Sequence, residues 1–276
     1  MVLRPLEPID VTPLFAPLHD ELLKLLRGLR PGDWDRPTSA RLWRVRDVAA
    51  HLLDTQVRKL SLQRDGHRLA PPDPGAPGGL LGFLNELNAS WVAAAGRLSP
   101  AVLVDLLAVT GPQVAAFVSS LDPQGAALFP VAWAGEDESR NWFDSGREYT
   151  EHWHHQQQIR EAVGAPLQTQ PRWLRPVFEI SVPALRPAYA GVAAPPGTTV
   201  TLTIEGDAGG SFSMVRGDEG WALYEGAAPG AAATAVVDEE TAWRMFFKSI
   251  PAGEARRRAR FSGDRALAEP AIGALA

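Results

Sequence analysis

The chain has 276 residues, 45% of them hydrophobic and 21% charged, with no cysteine and a formal net charge of −5. That length suits two domains, and that balance suits a soluble globular protein with a sizeable core. An acidic chain lacks the basic surface that nucleic acid requires, and without cysteine there are no disulfides, thiolate ligands or cysteine nucleophile.

The first ten residues carry Arg4, Glu7 and two prolines and have no apolar signal core. No uninterrupted apolar run approaches the roughly 20 residues of a membrane span. A cytoplasmic protein without membrane or nucleic-acid partners is expected. Leu14, Leu18, Leu22, Leu25, Leu26 and Leu29 recur at helical spacing until Pro31-Gly32. A second helix is predicted over 43–64, followed by a mobile Pro/Gly-rich loop at 70–79. A third helix covers 80–98, with Phe83, Leu84, Leu87, Trp91 and Ala94 on one stripe. Ser99-Pro100 offers an N-cap and first-turn proline for a fourth helix, which Gly111-Pro112 should kink or break. The last helix of this half spans 139–163 and ends on Gly164.

Beyond Pro171 the periodicity changes. A short helix is predicted over 173–185, then strands at 198–205, 211–216, 220–224 and 233–237. Asp238 caps a helix that contains Trp243, Phe246 and Phe247. A final strand is expected at 255–261, where Arg256, Arg257, Arg258 and Arg260 form a solvated strand face or a phosphate-binding run. A last helix follows Gly263-Asp264. Strands followed by helices argue for a small α+β domain, with the boundary dividing 1–167 from 168–276.

The chemistry concentrates in two helices. Four of the six histidines lie at 51, 152, 154 and 155. Glu151 and His155, four residues apart, stack on one helix face. His155 shares a stripe with Ile159, Ala162 and Val163 and so points inward, whereas His154 aligns with Arg147, Thr150, Gln158 and Glu161 and should face solvent. A carboxylate aimed into a bundle is costly unless paired, protonated or bound to a cation. His51, Glu151 and His155 are therefore the candidate ligands of one metal between two helices. Each has an alternative reading, a plain Glu–His helix pair worth roughly 0.2–0.5 kcal/mol and a core-edge histidine. Three ligands leave an open position, as catalytic sites do; Zn²⁺ leads, with Ni²⁺, Fe²⁺ or Mn²⁺ also suited to N/O donors. Asp47 and Glu148 could orient a ligand or serve as surface ion-pair partners.

Trp43-x-x-x-Asp47-x-x-x-His51-Leu52, followed by Glu151-x-x-x-His155-Gln156-Gln157-Gln158-Ile159-Arg160-x-Ala162-x-Gly164, resembles the mycothiol-dependent maleylpyruvate isomerase family of the DinB/YfiT-like superfamily. The resemblance implies an N-terminal DinB-like four-helix bundle, with His51, Glu151 and His155 at the family's metal positions. It also implies a sterol-carrier-like α+β C-terminal domain, which Trp221 and Gly263-Asp264-x-x-Leu267 fit. Relatives commonly have Asp where this chain has Gln158.

The implied cofactors are a divalent metal, Zn or Ni, and an external thiol such as mycothiol or bacillithiol. The implied partner is a small electrophile: a maleylpyruvate-like double bond for isomerisation, or an epoxide, halide or antibiotic for S-transfer. Arg160, Arg172, Arg175 and Arg244 are candidates for an anionic headgroup or for surface solvation. The assembly is a monomer or homodimer. Two other readings stand beside this one. The first is a metal-dependent hydrolase with Glu148 or Asp47 as base. The second is a non-catalytic binding module that holds an apolar ligand against Trp221, Trp243, Phe246 and Phe247, a set that also reads as plain core.

Overall fold

The computed structural model describes residues 3–67 and 79–275. The Pro/Gly-rich loop expected at 70–79 lies, apart from Gly79, outside the described residues. The chain divides into two compact units, each interrupted in sequence. One comprises Thr12–Leu121 with Glu151–Leu167. The other comprises the described residues up to Val11, Asp122–Thr150 and those from Gln168 onward. The division into 1–167 and 168–276 thus separates a helical from a mixed stretch of sequence rather than the two packing units.

The first unit is helical: α1 (Thr12–Arg27), α2 (Val45–Lys59), α3 (Gly79–Ala95), α4 (Pro100–Ser120) and the second part of α5 (Asn141–Val163). Its core joins Leu22, Leu23 and Leu26 of α1, Val48, Ala49, Leu52 and Leu53 of α2, Leu103 and Leu107 of α4 and Ile159 of α5. Asp47 Oδ2 accepts the Arg44 N–H at 2.9 Å and so caps α2. Ser99 Oγ accepts the Val102 N–H and caps α4 as expected.

The break expected at Gly111-Pro112 does not occur, and α4 runs through it. Proline removes one backbone donor, but Thr110 Oγ1 donates to Leu106 O and Gln113 Nε2 to Val109 O, which binds the adjoining turns. Gly111 instead makes room, since a Cβ there would lie 2.1 Å from His19 Nε2. By length and composition α4 is apolar enough to cross a membrane. Core helices of bundles pass the same test, and α4 buries Leu103, Val104, Leu107, Val114 and Val118.

The second unit is built on a six-stranded sheet of order β1-β4-β3-β2-β5-β6. Its strands are β1 (Arg4–Pro5), β2 (Thr199–Glu205), β3 (Gly210–Arg216), β4 (Trp221–Glu225), β5 (Ala233–Asp238) and β6 (Arg260–Gly263). Only β2 and β5 pair in parallel, with Leu202 opposite Ala235. One face carries Val200, Leu202, Ile204, Phe212, Met214, Ala235 and Val237 into the core. On the other face Thr201 and Ser213 share a hydrogen bond at 2.9 Å. Beside the first part of α5, this unit holds α6 (Pro171–Ser181), α7 (Leu185–Tyr189), α8 (Glu239–Phe246), α9 (Ala252–Arg258) and α10 (Arg265–Ala268), and Asp238 caps α8 through the Thr241 N–H.

The strand expected at 255–261 is helix α9 followed by the short β6. Arg256, Arg257 and Arg258 therefore close a helix, where cations complement the carbonyl end of the dipole, and Arg258 pairs with Glu254 one turn back.

Candidate metal centre

Helix α5 has a low mean hydropathy, yet residues 152–160 are buried on every face. Buried polar side chains need partners, and those of α5 find them in part, with Gln156 Oε1 and Arg160 Nε left without a hydrogen bond. Gln156 Nε2 donates to Leu18 O at 2.9 Å. Arg160 donates to Pro166 O at 3.0 Å and faces Glu21 at 3.5 Å. The expectation that His154 faces solvent is wrong: it is 8% exposed, like His155. Phase along a helix separates inside from outside only when one face meets water.

His51 on α2 and His155 on α5 meet edge to face, with ring centroids 4.8 Å apart. Glu151 Oε2 lies 3.5 Å from His155 Nε2. The three expected ligands are thus neighbours. Their donor atoms do not enclose a common point: among the described residues no three His, Asp or Glu side chains form a ready-made metal cage. The donor set nevertheless suits a cation. His51 Nδ1 is buried without a hydrogen-bond partner. On the other ring, His155 Nδ1 lies 2.9 Å from Gln158 Oε1, and Nε2 faces Glu151.

Burial first, then the nearby His155, pushes the His51 pKa down to about 3 against the pull of Glu151. His51 therefore stays neutral at physiological pH, with the lone pair of one ring nitrogen available for a ligand role.

Sequence reasoning gave Trp43, Thr55 and Arg58 no role. The Trp43 ring lies 4.7 Å from that of His51 and 6.3 Å from that of His155, walling both imidazoles. Its carbonyl is pinned by Thr38, through the N–H at 3.1 Å and the hydroxyl at 2.8 Å. Thr55 and Arg58 follow His51 by four and seven residues, a spacing that puts all three on one face. Thr55 Oγ1 gives its proton to Leu52 O at 2.9 Å and meets His152 Nε2 at 3.3 Å. Arg58 is held by Asp54 and Asn88, each at 3.0 Å.

Asp47 serves as the cap of α2, and Glu148 Oε1 accepts from Arg147 at 2.8 Å. Of the arginines offered for an anionic group, Arg160 is buried, contrary to a solvated role. Arg172 and Arg244 lie over the Trp173 and Trp243 rings at 4.0 and 4.2 Å, and Arg175 donates to Asp207 O at 2.7 Å. Trp243 and Phe246 are core residues, 1% and 0% exposed, while Trp221 Nε1 donates to Val192 O.

Comparison with known proteins bears on this geometry. The family model of the mycothiol maleylpyruvate isomerase N-terminal domain matches residues 15–160, which contain His51, Glu151 and His155. Among solved structures the chain is similar to a mycothiol-dependent maleylpyruvate isomerase, at 13% identity and a TM-score of 0.55, covering 91% of each chain. It is also similar to a histidine-to-alanine mutant of that isomerase, at 12% identity and a TM-score of 0.54, again over 91% of each chain. At such identity the likeness establishes a shared fold, a helical N-terminal part with an α+β C-terminal part. No curated protein matches the sequence. With more than half of its length matched by the family model, the chain belongs to the mycothiol maleylpyruvate isomerase N-terminal domain family.

Proposed function

We propose that the protein is a metal-dependent enzyme that uses a low-molecular-weight thiol such as mycothiol to isomerise, or transfer sulfur to, a small electrophile. One observation carries the reading: two buried imidazoles from separate helices meet 4.8 Å apart, with a carboxylate 3.5 Å from the second ring. His51, Glu151 and His155 would hold the cation, Zn²⁺ or Ni²⁺. A divalent cation there lowers the pKa of a bound thiol, keeping its sulfur ionised at neutral pH.

The chain's own side chains supply the rest. His51 is kept neutral by burial. Gln158 anchors His155 through Nδ1. Trp43 shields both rings from water on one side, which strengthens electrostatic interactions within. Arg58 places a guanidinium two turns along α2 from His51, on the same face, where it favours a substrate carboxylate. The hydrolase reading draws no support from Asp47, whose carboxylate is occupied at the helix cap.

The test is elemental analysis of untagged protein, followed by a screen of thiols against a maleylpyruvate-like substrate, an epoxide and an aryl halide. About one equivalent of metal in wild type, lost in His155→Ala, with turnover only when thiol is present, is the expected result. Metal-free wild type after Zn²⁺ and Ni²⁺ reconstitution, or turnover independent of thiol, overturns the reading.

A further inference from the structure

His155 and Gln158 face each other within one turn of α5, 8% and 7% exposed, with Nδ1 and Oε1 2.9 Å apart. A carboxamide oxygen carries lone pairs and no proton, so the proton of this hydrogen bond belongs to Nδ1. The neutral ring then bears its lone pair on Nε2, the atom 3.5 Å from Glu151 Oε2. The reversed tautomer would need the Gln158 amide turned over, so that its N–H met Nδ1, and would aim an Nε2 proton at Glu151.

We infer that Gln158 is a positioning residue that locks His155 in the Nδ1–H tautomer and dedicates Nε2 to the space shared with Glu151 and His51. The inference deepens the functional reading above and rests on it for the metal, but the tautomer itself is a property of the metal-free protein. Because the group that accepts the Nδ1 proton is a neutral amide, it orients the ring without adding a second negative charge beside Glu151. A carboxylate at this position would pull harder on the proton and make Nε2 a stronger donor to a cation.

The test reads the tautomer directly. Metal-free protein labelled with ¹⁵N-histidine is examined by long-range ¹H–¹⁵N correlation, with His155→Ala identifying the resonances of that ring. Wild type should show a protonated Nδ1 and an unprotonated Nε2. Gln158→Leu, which keeps bulk and removes the acceptor, should lose that preference, while Gln158→Glu should keep it. Zn²⁺ affinity, measured by competition with a chromophoric chelator, should fall roughly 10–100-fold in Gln158→Leu and hold or rise in Gln158→Glu.

A wild type with the proton on Nε2, or a folded Gln158→Leu with unchanged tautomer and unchanged affinity, overturns the inference. If Gln158→Leu does not fold, the wild-type tautomer and the Gln158→Glu affinity decide the matter. If wild type binds no Zn²⁺, the functional reading falls, and the tautomer measurement still settles the role of Gln158.

Discussion

His51 and His19 are imidazoles held away from water on neighbouring helices, and burial lowers the pKa of both. The unfolded ring takes up a proton near 6.5, whereas folded His51 does so only near 3. The unfolded chain therefore binds more protons as the pH falls, and stability present above pH 6.5 is lost through the window down to about 3. For the metal-free protein we expect His51 to remove about 2 kcal/mol between pH 7 and pH 5, with His19 adding to the loss. Asp54 and Glu179, whose pKa values burial raises, act with the opposite sign in the acid range and offset part of it. Urea unfolding at pH 7 and pH 5 measures this, and His19→Gln should flatten the dependence. A wild type equally stable at both pH values would contradict the burial of these rings. The neighbouring Glu151 and His155 were legible at this scale because spacing along one helix carries them, and the family resemblance set His51 beside them. The roles of Trp43 and Thr55 were not, since each depends on a neighbour fixed by packing, and helical phase had grouped Gln158 with His154 rather than with its partner His155.

Helices α4 and α8 show how single positions serve whole elements. A methyl group at Gly111 would collide with the His19 ring, so Gly111→Ala should cost about 1–3 kcal/mol by overpacking. Thermal unfolding of Gly111→Ala, His19→Ala and the double variant should show a double-mutant loss smaller than the sum of the singles. Strict additivity would show that the two residues do not touch. Asp238 Oδ1 accepts the Thr241 N–H at 2.6 Å, and Asp238→Ala should cost about 1 kcal/mol, measurable by denaturant titration. This cap and that of Ser99 on α4 were readable because capping chemistry is local. The segment 255–261 was not, because Ala255 is buried within a helical turn whose arginines have no apolar period to betray it.

At the scale of the molecule, the two compact units are interleaved along the chain. The second unit packs Val131, Ala134 and Phe143 against Ile180 and pairs β1 with β4. It also closes a hydrogen bond from Tyr149 to Trp173 O at 2.8 Å. A fragment covering 168–276 lacks all of these partners. It should show no cooperative unfolding transition by circular dichroism, whereas the full chain should; a fragment that unfolds cooperatively with native-like stability would refute this account.

Most helix spans, the caps, the alternation of β2 and the stacking of Glu151 with His155 on one helix face follow from local periodicity and side-chain chemistry, and so were set by the sequence alone. Tertiary structure alone decided the burial of His154, the meeting of the Trp43 and His51 rings with that of His155, and the interleaving of the units. Each of these depends on surfaces brought together from distant parts of the chain, and no local period records which of them will meet.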